Sequence, residues 1–241
     1  MWEKVISLLY PRRCPVCHNA VFPRDALVCF DRCEDRFPVI GEPRCKCCGK
    51  PLTQSRQEYC YDCVRKKHTF EYGYAMWLYD PVMAESIAAF KYKGRREYGE
   101  YYGDCMAKKY GGWLCSFEKP VLVPVPVHPQ RYRKRGYNQA EVLAGVIGRK
   151  TGVPVVSDWL VRIKNTAPQK DLNDQERLKN LLQAFGVCEE KNGEYIRKYQ
   201  SFILIDDIYT TGSTLESCAR ILKQQGVKHV YFLCMSIGHG I

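Results

Sequence analysis

The spacing of the cysteines constrains this 241-residue chain more than any other feature. "CPVCHNAVFPRDALVCFDRC" begins at Cys14 and "CKCCGKPLTQSRQEYCYDC" at Cys45, so the pattern repeats with a step of 31 residues. In each unit eleven residues separate a Cys-x-x-Cys pair from two more cysteines. A two-residue gap lets a turn aim two thiolates at one ion, and two such turns complete a tetrahedron of sulfurs. The expected metal ligands are therefore Cys14, Cys17, Cys29 and Cys33, then Cys45, Cys48, Cys60 and Cys63. The first unit closes with a three-residue gap, so either one or two structural Zn²⁺ ions are expected. Each unit is complete by itself, which favours successive ribbons over a cross-braced pair. Cys47 reads as a spare thiol and His18 as a polar turn residue. Metal holds together a segment too small for a core of its own. No open coordination position is suggested, so the zinc is read as structural.

Nine of the 14 cysteines lie between positions 14 and 63. The opening "MWEKVISLLYPRRC" has too short an apolar run, and no small-residue cleavage site, for a signal peptide. Val5, Ile6, Leu8 and Leu9 read as a short packing helix. No stretch approaches the roughly 20 apolar residues of a membrane span. A cytoplasmic chain without membrane insertion is expected, in which thiols serve metals rather than disulfides. The five remaining cysteines suit apolar packing. The formal charge of +11 favours an anionic partner, such as phosphates or nucleic acid.

"VRKKHTF" after Cys63 is a polar join, and the expected division is a cysteine-rich segment over 1–69 and a second domain over 70–241. "YAMWLYD" reads as a strand, "VMAESIAAFKYKG" as a helix, and "REYGEYYGDCMAKKYGG" as a helix closed by its glycines. "PVLVPVPV" is a buried strand ended by prolines. "NQAEVLAGVIGRKTG" is a helix capped by Asn138. "WLVRIK" is a strand, and "DQERLKNLLQAF" is a helix leading to a strand near Phe185. "FILID", "STLESCARILKQQG" and "HVYFLCMSI" give strand, helix, strand. This alternation predicts an α/β fold, a mostly parallel sheet flanked by helices.

"FILIDDIYTTGST" carries the sharpest chemistry. In open α/β sheets ligands sit beyond the carboxyl ends of the strands, and Asp206 and Asp207 stand at such an end. Thr210, Thr211, Gly212, Ser213 and Thr214 then open a helix. Free amides at that turn, the positive end of the helix dipole and several hydroxyls suit a phosphate, and Gly212 allows unusual dihedrals. Two carboxylates would repel a phosphate, so they must face another part of the same ligand. Vicinal sugar hydroxyls fit, which gives a ribose 5-phosphate. Farther back, Arg131, Arg133, Lys134 and Arg135 crowd behind His128, and such a cluster calls for a neutralising anion.

"ILIDDIYTTGST" resembles the 5-phosphoribosyl diphosphate (PRPP) binding signature of type I phosphoribosyltransferases. "FKYKGRREYG", "VPVPVHPQRYRKRGYNQAEVLA" and "RIKNTAPQKDLNDQERLKNLLQAF", with the cysteine pairs ahead of them, resemble the ComF branch associated with competence. The resemblance covers nearly the whole chain. It implies a type I phosphoribosyltransferase-like domain behind a small zinc-ribbon-like segment. It implies PRPP with Mg²⁺ as the ligand, with the 5-phosphate on residues 210–214 and the pyrophosphate near His128, Arg131 and Arg135. The segment 162–177 would be the mobile catalytic loop, in which Lys164, Thr166 and Gln169 match the family pattern; Arg177 and Asn180 match on the helix beyond. Asp206, Asp207 and Lys164 are then the expected catalytic residues. No general base is identifiable and the acceptor is unnamed.

Two readings from different classes follow. One is a phosphoribosyltransferase acting in competence-related nucleic acid metabolism or DNA uptake. The other is a non-enzymatic factor binding single-stranded DNA, with Tyr92, Tyr98, Tyr101, Tyr102, Tyr132 and Tyr137 stacking bases between basic residues. The zinc segment could also dock other DNA-uptake proteins.

Overall fold

The structure is a computed structural model, and it describes residues 11–23, 26–29, 33–163 and 184–238. Four strands form one parallel sheet: β1 (Gly73–Leu78), β2 (Pro120–Pro124), β5 (Ser201–Tyr209) and β6 (His229–Ile237), in the order β1-β6-β5-β2. Helix α1 (Tyr61–Arg65) carries Cys63 of the second cysteine unit, and helices α2 (Pro81–Tyr92), α3 (Tyr98–Cys115) and α5 (Gln139–Thr151) pack on one face of the sheet. Helix α7 (Ser213–Gln224) and an antiparallel pair, β3 (Leu160–Arg162) with β4 (Phe185–Val187), cover the other. A parallel sheet flanked by helices is what the alternating pattern predicts.

The strands are apolar on both faces because both are covered. In β5, Ile203 and Ile205 face the α3/α5 side, while Phe202 and Leu204 face α7. Asp80 caps α2 by accepting from the Met83 amide, and Asn138 caps α5 by accepting from Ala140.

Several elements depart from the sequence reading. Gly111 and Gly112 do not close α3, which runs on to Cys115, its C-terminal half packed through Tyr110 and Leu114. The cationic run 129–135, for which the pattern predicts no element, forms a short helix α4 (Pro129–Arg135), with Pro129 at its first position and Gly136 (φ +80°) as its stop. A further helix, α6 (Glu189–Lys198), was not expected at all; its one well-buried residue is Tyr195, too weak an apolar signal to read. The expected helices over 5–9 and 174–185 fall wholly or mostly outside the described residues.

The two cysteine units keep their 31-residue step in three dimensions. Arg13 bridges Ala20, and Arg44 bridges Pro51. The Cys14 amide donates to Asn19, and the Cys45 amide to Lys50. The turn residue is left-handed in both, His18 at φ +62° and Gly49 at φ +72°. His18 is held there by Tyr98, whose hydroxyl lies 2.8 Å from its Nδ1 and whose ring stacks on it. Between the units, Pro38 and Ile40 hydrogen-bond to Leu78 and Met76 along the outer edge of β1. That run covers an otherwise open sheet edge and places one unit on each face. Cys14, Val16, Val21 and Phe37 join the core under α3, while Cys45, Cys48 and Phe70 join the core under α7.

Candidate functional site

The sheet's own register creates a notch. Strand β2 pairs with β5 only as far as Pro124 opposite Ile205, whereas β5 continues beside β6 to Tyr209. Residues 206–209 therefore have one unpaired edge, and the chain leaving β2 passes beside it into α4 and α5. A cavity of about 260 Å³ opens there, lined by Asp206, Asp207, Thr210 and Thr214 with Arg131 and Arg135, together with Lys91, Arg162, Asn138 and Gln139.

The acids lie inside the strand rather than at its tip, and the two-residue period of a strand sends them to opposite faces. Asp207 is directed to the α2 side, where Lys91 Nζ lies 2.7 Å from its Oδ2. Asp206 is directed to the β3 side, where Arg162 acts on it electrostatically. The cavity wraps around the strand end and reaches both. Burial, followed by the charge of Asp207, pushes the Asp206 carboxyl up to about 7. The Asp207 amide, which donates to Asp206 Oδ1 at 2.8 Å, offsets only part of this, as do Lys91 and Arg162. Burial and the proximity of Arg131 hold Arg162 below the usual guanidinium range. Two guanidiniums from different elements thus converge on one cavity, a placement that favours an anion.

Helix α4 explains which of the basic residues serve the cavity. Arg131 and Arg135 are four residues apart and share one face; both line the cavity, whereas Arg133 and Lys134 are exposed. Arg135 donates to Gln139 Oε1 at 2.9 Å and to the Tyr92 hydroxyl at 3.1 Å, and it stacks over the Tyr92 ring. His128 is placed as the N-cap of α4, its Nδ1 accepting from the Gln130 amide, and it is not among the lining residues. Lys91 is the residue that sequence reasoning missed as part of the acid site. Its approach to Asp207 depends on how α2 packs.

Residues 210–214 form the turn into α7. Thr210 and Thr214 line the cavity; the Thr211 and Ser213 hydroxyls lie 2.8 Å from each other. Gly212 is left-handed at φ +76°, and a Cβ there would stand 2.4 Å from the Tyr209 hydroxyl, so only glycine fits without displacement. The first-turn amides of α7 have no partner within the helix, as at any helix start. Lys164, Thr166, Gln169, Arg177 and Asn180 lie outside the described residues.

The cysteine ligands are gathered as expected. Cys14, Cys17, Cys29 and Cys33 form one cluster, and Cys45, Cys48, Cys60 and Cys63 another, the sulfurs of each within 4.8 Å of one another. Cys17–Cys29 and the equivalent Cys48–Cys60 are both 3.6 Å apart. That is close to the roughly 3.8 Å edge of a tetrahedron with Zn–S bonds of about 2.3 Å. Both clusters are consistent with structural zinc. A third group, Cys47, Cys63 and His68, also lies within 4.8 Å; the reading of Cys47 as a spare did not anticipate it. Of the tyrosines read as base-stacking, Tyr98, Tyr101, Tyr102 and Tyr137 are core residues; Tyr92 and Tyr132 are exposed.

Residues 5–64 match the double zinc ribbon domain family. Competence protein F of Haemophilus influenzae is 28% identical over 78% of this chain and 82% of its own length. Competence protein ComFC of Bacillus subtilis is 29% identical over 84% and 80%. The DNA utilization protein YhgH of Escherichia coli is 26% identical over 79% and 82%. Among solved structures, a hypoxanthine phosphoribosyltransferase of Staphylococcus aureus superposes with a TM-score of 0.34 at 13% identity, covering 56% of this chain and 62% of that one. An allosteric regulatory enzyme of purine biosynthesis gives 0.36 at 15%, covering 56% and 25%. The chain spans less than two thirds of either solved structure. No helix among the described residues is long and apolar enough to cross a membrane.

Proposed function

We propose that this chain, homologous over most of its length to the ComF/ComFC competence proteins and carrying a double zinc ribbon, binds PRPP or a related phosphoribosyl ligand in the β2/β5 notch. Its role would lie in DNA uptake or competence-related nucleic acid metabolism, as the names of its relatives suggest. The observation that carries the reading is one cavity shared by the paired acids, the Thr210/Thr214 turn and four cationic side chains.

Each part of the ligand has a chemical counterpart. The amides and hydroxyls of residues 210–214 receive the 5-phosphate at the positive end of α7. Asp206 and Asp207 accept from ribose hydroxyls. Arg131, Arg135 and Arg162 converge on the diphosphate. Mg²⁺ fits the same acids, because hard carboxylate oxygens beside phosphate oxygens are what it selects, and it would neutralise charge on the leaving diphosphate. Asp207 is already held by a cation, Lys91. As the bond to C1 stretches and the sugar becomes cationic, the carboxylates stabilise it and the guanidiniums stabilise the departing diphosphate. Lys164 is assigned to the leaving group by resemblance alone, and transfer to an acceptor is part of the proposal.

Titration calorimetry with PRPP, with and without Mg²⁺, tests this. Binding should be lost in Asp206→Asn with Asp207→Asn and should weaken about tenfold or more in Arg135→Ala. Absence of binding, or binding indifferent to the acids, overturns it. A pyrophosphate-release assay across nucleobases and oligonucleotides tests transfer.

A second reading, binding of single-stranded DNA, is favoured by the exposed Tyr92 stacked under Arg135 at the mouth of the cavity and by exposed Tyr132 on α4. Oligonucleotide affinity should fall steeply between 50 and 200 mM salt and drop in Tyr92→Ala. An affinity indifferent to salt counts against it.

A further inference from the structure

Cys63 belongs to two ligand groups at once. It completes the tetrathiolate cluster with Cys45, Cys48 and Cys60, and it also lies with Cys47 and His68 in a second set whose donor atoms are all within 4.8 Å. His68 Nε2 stands 3.6 Å from Cys63 Sγ. A tetrahedral zinc with Zn–S of about 2.3 Å and Zn–N of about 2.0–2.1 Å separates its sulfur and nitrogen donors by about 3.6 Å. The geometry is that of two donors on one ion.

The rest of the residue's environment fits the same role. The His68 side chain is only 7% exposed, and its ring stacks on Phe70 at 4.5 Å. Glu216 Oε2 faces its other nitrogen, Nδ1, at 3.6 Å. Glu216 is itself fixed by the Thr69 amide at 2.9 Å and the Thr69 hydroxyl at 2.6 Å. A buried carboxylate behind a histidine, with the opposite nitrogen turned toward thiolates, is the arrangement that orients metal-bound imidazoles. Cys47 is anchored as well: its carbonyl accepts from the Gly73 amide at 3.0 Å.

We propose that Cys47, Cys63 and His68 bind an additional thiophilic divalent cation, zinc by preference, with the Cys63 thiolate shared between it and the zinc of the second ribbon. This rests on the zinc reading of that ribbon. The protons balance simply. Cys63 is already a thiolate on the first ion and His68 coordinates as neutral imidazole, so loading the site releases one proton, from Cys47. Electrostatics favours it. A tetrathiolate zinc leaves two net negative charges, and adding one dication with one further thiolate leaves a single one, in surroundings where unbalanced charge is costly. Three protein donors leave the fourth position of this ion to water or another exogenous ligand, as in open zinc sites.

Native mass spectrometry of the reduced full-length chain, equilibrated with micromolar free zinc, decides the matter. Three zinc ions per chain are expected, falling to two in Cys47→Ser and in His68→Ala. Cys47→Ser guards against a folding defect in the histidine variant, since it keeps the second ribbon's own four ligands. In the cobalt-substituted protein, the third equivalent should strengthen thiolate charge-transfer absorption in the wild type and not in Cys47→Ser. Two ions per chain in the wild type overturn the proposal, leaving His68 as a donor to the Cys63 sulfur. A third ion that survives both substitutions overturns it too, because it then sits elsewhere.

Discussion

Replacing Asp206 by asparagine should stabilise the protein while abolishing ligand binding. Burial and the neighbouring Asp207 carboxylate raise the Asp206 carboxyl from 3.8 to about 7, so above neutrality the folded state carries a charge the unfolded state holds more cheaply. Each unit of such a shift corresponds to about 1.4 kcal/mol, which sets a ceiling of about 4 kcal/mol. Asp206 lines an open cavity whose solvent screens part of that penalty, so about 2 kcal/mol is the working figure, or roughly 4–8 °C in Tm for a chain of this size. Asparagine keeps an oxygen to accept from the Asp207 amide, as Asp206 Oδ1 does at 2.8 Å, and removes the repulsion. The sign with pH follows from linkage. Between about pH 4 and 7 the folded state holds a proton that the unfolded state has lost, so wild-type stability declines as pH rises through that window. The advantage of Asp206→Asn should therefore grow from pH 5.5 to 7 and level off above. Urea midpoints of both proteins at pH 5.5, 7 and 8.5 measure it. No gain at pH 8.5, or a gain equal at all three, refutes the reasoning.

Three further outcomes are expected. Gly212→Ala, with its Cβ driven against the Tyr209 hydroxyl at φ +76°, should cost about 2 kcal/mol in urea unfolding and weaken PRPP binding more than tenfold. Stripping metal with a strong chelator under reducing conditions should lower Tm by about 10 °C or more in calorimetry, because Cys14 and Cys45 are wholly buried members of the cores on both sheet faces. Burial works to raise the Glu216 carboxyl, but hydrogen bonds from His68, Thr69 and Arg220 outweigh it and hold the group down at about 2. Its contribution is present above about pH 4.5 and lost only as pH falls toward 2, so Glu216→Gln should show a deficit of about 2 kcal/mol that is the same at pH 6 and pH 8.

What the sequence disclosed was whatever a local period or spacing encodes. The paired Cys-x-x-Cys units and the strand–turn–helix around Asp206 are local. The placement of the acids on opposite faces was equally legible, since Ile203, Ile205 and Asp207 alternate with Phe202, Leu204 and Asp206. So was the shared face of Arg131 and Arg135, once residues 129–135 are taken as helix. Tyr98, Tyr101 and Tyr102 follow helical spacing with Met106 and mark a core stripe, which is why they do not stack bases. The Lys91–Asp207 pair, by contrast, joins residues 116 positions apart and depends on how α2 packs. The approach of His68 to both Cys63 and Glu216 likewise needs the ribbon docked on α7.

That docking changes how the cysteine segment is best regarded. A ribbon stabilised only by its metal would need no particular orientation on the sheet. Here the run between the ribbons lies along the open edge of β1, and the second ribbon meets α7 through Glu216, one turn beyond Gly212. Thr69 and Arg220 grip the Glu216 carboxylate from two sides, so the first turn of α7 is fixed to the chain leaving Cys63. That turn carries the residues proposed to receive the phosphate. Helix starts bind anions only when their amides are held in place beforehand. The ribbon supplies that restraint from the face opposite Lys91, while α2 and α4 supply the cations, and the notch beyond β2 is where the two contributions meet.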